Sequence, residues 1–235
     1  MKILVVLIAL FAIVGTTQKL FAAGDKVLEG KDCQATLGLQ DFTDKTFVID
    51  FENNCRTITT DIPETKIRTK NNDDLSREIS RKIVRTWDIV HQGTIDDLWN
   101  KADWLNFLGG QSCFIVYSLN VNYVPEDPFT YAQLYQYMRE NNYKVIEGVE
   151  KSYLSYIQTE GGHGAVIFPE AWDTPEKFKT GDGLENNAIK EGTSYAISVV
   201  SPYEGWDSFF SEKKNTVILF STTDYARNTM RCEWK

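Results

Sequence analysis

Long apolar runs are scarce in this chain. After the N-terminal stretch Ile3 to Val14, no segment approaches the roughly 20 residues needed to cross a hydrocarbon layer, which excludes an integral membrane span. Histidine is nearly absent, with only His91 and His163. No His-x-x-x-His pair or Glu-bearing helical zinc motif occurs, so no resident metal or other cofactor is expected. No Gly-x-Ser-x-Gly elbow is present, which removes the usual serine-hydrolase signature. There is no Asn-x-Ser/Thr sequon, no internal repeat and no low-complexity tract. Basic charge is also short. The chain has 25 Lys and Arg against 33 Asp and Glu, and that sign opposes phosphate backbones, so nucleic acid is not an expected partner.

The first residues have the organisation of a leader. Lys2 supplies a basic start, Ile3 to Val14 is an unbroken apolar core, and the small residues Gly15 to Thr17 and Ala22 to Gly24 offer cleavage sites. We therefore expect residues 1–23 to be a secretory signal peptide and residues 24–235 to be a single secreted α+β domain working outside the cell. Loss of Lys2 and Lys19 with the leader leaves 23 basic and 33 acidic residues, a balance of about −10.

All of the four cysteines, Cys33, Cys55, Cys113 and Cys232, lie beyond the leader, and an even count in an exported chain points to two disulfides. Cys33 and Cys55 flank a hairpin pattern, Cys33 to Leu39 and Thr46 to Phe51, which leaves Cys113 for Cys232. Residues 63–74 are polar and read as an exposed connection. Leu75, Ile79, Ile83, Trp87 and Val90 then recur at helical spacing, with Arg77, Arg81, Lys82 and Arg85 on other faces, where they form a solvated side. A second amphipathic helix is expected over Ile95 to Leu108, and a strand over Phe114 to Val124.

Asp127 and Pro128 suggest the start of a third helix that buries Tyr131, Leu134, Tyr135 and Met138 and is interrupted at Asn141 and Asn142. A fourth helix is expected over Lys144 to Thr159. Four strands follow in the pattern, Ala165 to Phe168, Ser194 to Ser201, Thr216 to Thr222 and Thr229 to Trp234. The fold class expected is α+β, with an N-terminal β-hairpin, central amphipathic helices, a mainly antiparallel C-terminal sheet and two disulfides.

Chemistry is sparse against this background. His91 sits at a helix end and suits a structural role there. Gly161-Gly162-His163-Gly164 leads into an apolar strand, and a Cys113 and His163 pair is the one arrangement that suggests a cysteine-dependent hydrolase. An oxidised Cys113 excludes it. Aromatics are abundant, with six Trp, eleven Tyr and thirteen Phe, more than binding alone needs, so most belong to the core. Three clusters are candidates for exposure: Tyr131, Tyr135 and Tyr137; Tyr153 with Tyr156; and the loop with Tyr203 and Trp206, followed by Phe209 and Phe210. We take Tyr203, Trp206 and Phe209 as the candidate binding residues. The expected function is that of a secreted non-enzymatic binding or effector protein of defence, salivary or venom type, its partner an extracellular protein, glycan or lipid. A membrane-active protein that exposes its helical stripes is the alternative from another class.

Overall fold

The structure, a computed structural model, describes residues 56–68, 71–90, 112–126, 128–146, 149–158, 164–172, 177, 180–201 and 216–234. The leader, the 33–51 hairpin with Cys33 and Cys55, the helix expected over 95–108, both histidines, and Tyr203, Trp206 and Phe209 lie outside the described residues.

Among the described residues the centre is a six-stranded sheet. Its long members are β2 (Ser112–Val121), β8 (Thr193–Ser201) and β9 (Thr216–Thr222), and they pair antiparallel in that order. Parallel strands flank them. β1 (Ile58–Ile62) and β10 (Glu233–Trp234) share the outer edge of β2, and β6 (Gly164–Ile167) pairs with β9. The order is β1-β2-β8-β9-β6, an α+β arrangement with a mainly antiparallel C-terminal sheet, as the sequence suggests.

Phe114 to Leu119 and Tyr195 to Val200 are buried without interruption, so both faces of the central strands are covered. A bulge between Ile115 and Tyr117 inserts Val116 as an extra residue. It brings Phe114 and Tyr117 onto the same face, opposite Val199 and Ile197. That face carries the large residues, including the cross-strand row Tyr117, Ile197 and Phe220. The other carries the small row Ser118, Ala196 and Ser221.

Helix α1 (Asp73–Ile89) has the expected stripe, with Leu75, Ile79, Ile83 and Trp87 all fully buried. Its start departs from expectation. Residues 63–74 are not a plain exposed connection, because Ile67, Asn72 and Asp74 are buried there and the strand β1 precedes them. Asn72, at the cap position, makes no cap hydrogen bond and instead clamps the loop after β2. Its Nδ2 donates to the Glu126 carbonyl at 2.8 Å, and its Oδ1 accepts from the Glu126 N–H at 3.2 Å. Asp74 accepts from the Arg68 N–H at 2.8 Å and pairs with Arg77. The basic run is only partly a solvated side: Arg81 is exposed, whereas Lys82 lies 5.0 Å from the centre of the Tyr117 ring.

The short strand β3 (Phe129–Thr130) pairs with β7 (Ala188–Ile189) and leads into helix α2 (Tyr131–Glu140). The cap of α2 is Thr130 and not Asp127, because Thr130 and Gln133 complete a capping box. The helix expected over 144–159 is replaced by a hairpin, β4 (Asn142–Ile146) and β5 (Val149–Ser152), and a short helix α3 (Tyr153–Ile157). The β-branched Val145, Ile146 and Val149 favour strand pairing, and Ser152 accepts from the Ser155 N–H to start α3. Thr222 caps a helix α4 (Thr223–Asn228) by accepting from the Tyr225 N–H, and the last expected strand, Thr229 to Trp234, is reduced to β10 because Thr229 is helical at the end of α4 and Arg231 adopts a positive φ of 55°.

Cys113 and Cys232 form a disulfide with buried sulfurs, 119 residues apart, as expected; the pairing of Cys33 with Cys55 lies outside the described residues. Register places Cys113 and Ile115 on the face of Ser198, so the connection from β9 through α4 to β10 is tied to the small-residue side. Because the closed loop is long, replacing both Cys113 and Cys232 by serine is expected to lower unfolding free energy by about 4–5 kcal/mol in the chain-entropy account, read from denaturant midpoints. A loss under about 1 kcal/mol counts against the bridge as the clasp of the sheet edge.

Candidate functional site

Helix α2 stands as a ridge, and its two halves have opposite duties. Tyr131, Leu134 and Met138 are fully buried, whereas Gln133, Gln136, Arg139 and Glu140 are exposed. Tyr131 anchors the ridge. Its ring stacks on Phe168 at 5.2 Å between centroids and meets Phe220 edge-on at 5.7 Å, while Phe220 stacks on Tyr195 at 5.3 Å. The Tyr131 hydroxyl donates to Glu170 Oε2 at 2.6 Å. The other oxygen of Glu170 accepts from the Thr222 N–H at 2.9 Å and from the Thr222 hydroxyl. Burial raises the Tyr131 hydroxyl pKa far above the usual tyrosine range, and the adjacent Glu170 charge raises it further. Burial likewise raises Tyr117 and Tyr195.

One flank of α2 opens into a cleft of about 340 Å³. Tyr135, Gln136 and Arg139 line the helix side, and Trp172, Thr180 and Glu185 the other. Tyr135 meets Trp172 edge-on at 5.5 Å, and Trp172 meets Phe168 at 5.4 Å, so the aromatic wall is continuous with the core. Burial raises the Tyr135 pKa, and a hydrogen bond with Gln158 and the charge of Arg139 offset part of that. The far wall is fixed by backbone geometry. Gly183 adopts φ +92°, and a Cβ there would lie 2.5 Å from the Ala171 carbonyl oxygen. Asn187 Nδ2 donates to the Gly183 carbonyl at 2.8 Å and closes the turn.

The opposite flank holds a cleft of about 240 Å³, lined among others by Asn72, Asp73, Glu126, Tyr137 and Asn141. The Asn72 clamp sets its floor by holding the start of α1 against the loop after β2. Gln136 lines both clefts.

Of the cleft-lining residues, the sequence points to Tyr135 and Tyr137 as aromatics that can reach the surface and to none of the polar ones as a binding residue. Tyr203, Trp206 and Phe209 lie outside the described residues, and so does His163. Two of the aromatic clusters that were candidates for exposure are largely internal: Tyr131 is buried, as the expected buried side of its helix has it, Tyr153 and Tyr156 are buried too, and of the two clusters only Tyr135 and Tyr137 reach the clefts, half-buried. The sulfur of Cys113 is bonded to Cys232 and holds no thiol to deprotonate. Among the described residues, no group of three or more His, Cys, Asp and Glu is placed to hold a metal, and no helix is long and apolar enough to cross a membrane. A signal for the ridge was present: the Thr130-x-x-Gln133 box fixes the helix start and thereby puts Gln133, Gln136 and Glu140 together on one side.

No family model matches this chain, and no curated protein or solved structure is similar to it.

Two outcomes follow from this geometry. Gly183→Ala is expected to destabilise the protein by about 1–3 kcal/mol, through the positive φ and the clash with Ala171, and to displace the cleft wall; thermal unfolding at unchanged stability contradicts it. Raised tyrosine pKa values make stability complete below pH about 10 and falling above it, because the unfolded chain ionises first. Tyr131→Phe is expected to cost about 1–3 kcal/mol at neutral pH and to flatten that alkaline decline, measured by chemical denaturation across pH 8–11. An alkaline limb as steep as before removes Tyr131 from its cause.

Proposed function

We propose that this chain is an exported, non-enzymatic binding or effector protein that takes its ligand beside α2. The carrying observation is the larger cleft, where the Tyr135 and Trp172 wall stands beside Arg139 and Glu185 behind a turn held by Gly183. Concave sites of a few hundred Å³ with an aromatic wall and a few directed polar groups are the usual form of small-ligand recognition. The leader pattern and a cystine between Cys113 and Cys232 support an oxidising, extracellular setting. Binding is favoured over the alternatives for specific reasons. A bonded Cys113 leaves the cysteine-hydrolase reading without its nucleophile. The stripe of α1 that a membrane-active protein exposes is spent in the core, with Leu75, Ile79 and Ile83 fully buried.

A fragment library of aromatic, carboxylate, amine and polyol compounds, screened by amide chemical shifts on the disulfide-intact chain, tests this. Hits are expected to move resonances of Tyr135, Arg139, Trp172 and Glu185 more than those of other surface residues. Hits gathered elsewhere, with those resonances still, overturn the reading.

A further inference from the structure

We propose that the clefts on either side of α2 are two subsites for one neutral oligosaccharide that crosses the helix at Gln136, an inference that rests on the α2 flanks being the binding site. At 3.6 residues per turn, Gln136 occupies the crest of the exposed side of α2. Ala132, Tyr135 and Arg139 fall toward the larger cleft, and Gln133, Tyr137 and Glu140 toward the smaller. The crest is itself hydrogen-bonded: Gln136 Nε2 donates to Glu140 Oε1 at 3.1 Å, and Arg139 Nη2 donates to the same oxygen at 3.3 Å.

The lining chemistry selects hydroxyl groups. Asn71, Asn72, Gln133, Gln136 and Asn141 place amides around the smaller cleft. These amides are already oriented by protein partners, Asn72 by the Glu126 backbone, Gln133 by the Thr130 N–H, Gln136 by Glu140 and Asn141 by the Tyr137 carbonyl, and an amide so held has a second N–H and a second lone pair that a hydroxyl, donor and acceptor at once, can meet. Each cleft also holds a half-buried tyrosine, Tyr135 in one and Tyr137 in the other, suited to the C–H face of a sugar ring. Volumes of about 340 and 240 Å³ suit individual sugar units and not a long acyl chain.

Charge removes the competitors. Among the described residues the smaller cleft has Asp73, Glu126 and Glu140 in its lining and no Lys or Arg, and the larger one has Glu185 together with Arg139, which already bonds Glu140. The excess of carboxylates among the described lining residues disfavours phosphate, sulfate and carboxylate ligands. A compact organic cation would engage the carboxylates but leave the amides and the larger cleft unused. A hydroxyl-rich chain lying over Gln136 engages both.

The test uses the disulfide-intact chain titrated with trisaccharides of glucose, galactose, mannose and N-acetylglucosamine, alongside choline and a heparin hexasaccharide, by calorimetry and amide shifts. At least one neutral trisaccharide is expected to bind, moving Tyr135 and Arg139 on one flank and Gln133 and Asn141 on the other. Its affinity should change less than roughly two-fold between low and high salt, since no counterions are released. Gln136→Ala, on the exposed crest where folding does not depend on it, is expected to weaken binding about ten-fold, and Tyr135→Ala at least as much. Choline or heparin binding more tightly than every trisaccharide overturns the inference, as do shifts confined to one flank or an unaltered affinity in Gln136→Ala. If fragments move the α2 resonances and no trisaccharide does, the saccharide inference falls while the binding reading stands; if neither does, both fall.

Discussion

Tyr131 is the point on which the arrangement turns. It is the first residue of α2, its ring is fully enclosed between Phe168 and Phe220, and its hydroxyl reaches the Glu170 carboxylate that also holds Thr222. A single carboxylate thereby joins the start of α2 to the end of β9 and the cap of α4. A hydrogen bond to an ionised acceptor contributes about 1.5–3 kcal/mol, and losing a buried aromatic ring costs about 3–5, so neither effect is small beside the stability of an ordinary domain. The two act in different ways. Ring packing fixes how close α2 lies to the sheet, whereas the directional bond fixes where along the sheet it begins. Both clefts inherit their position from that placement.

The sheet beneath is built to accept such a helix on its large-residue face. The bulge at Val116 keeps Phe114 and Tyr117 together on that face, and without the extra residue one of them would turn to the side of Ser118, Ala196 and Ser221. The small-residue side is where Cys113 receives Cys232. Covalent linkage is a suitable fastening there. Among the described residues β10 contributes only the pairs Glu233 with Phe114 and Trp234 with Ile115, too few ladder bonds to hold an edge strand by themselves.

How much of this was legible in the sequence depends on whether the deciding interaction was local. The stripe of α1 and the strands β2, β8 and β9 were legible because period and β-branched content fix them within the segment itself. Residues 144–159 misled because Val145, Val149, Tyr153 and Tyr156 satisfy a helical period, while pairing between β4 and β5, which a period does not register, was the stronger preference. The polar look of 63–74 hid Asn72 and Asp74, whose burial depends on Glu126 and Arg68 as partners. The site was the least legible part. Trp172, Glu185 and Arg139 line one cleft beside a turn in which Gly183 lies close against Ala171, a contact that no composition rule anticipates.

On α2 the residues that hold the fold and those that line the clefts are almost separate sets. Gln133, Gln136, Arg139 and Glu140 are exposed, and pairs such as Arg139 with Glu140 contribute little to stability at a solvated surface. Side chains can therefore be exchanged at these positions while Tyr131, Leu134 and Met138 keep the helix in place. Tyr135 is the exception, since its ring belongs both to the wall of the larger cleft and to the aromatic packing around Phe168 and Trp172. The ring of Tyr135 is thus at once a surface of the larger cleft and part of the cluster that seats the ridge, so a change of packing at Phe168 or Trp172 reaches the cleft wall directly.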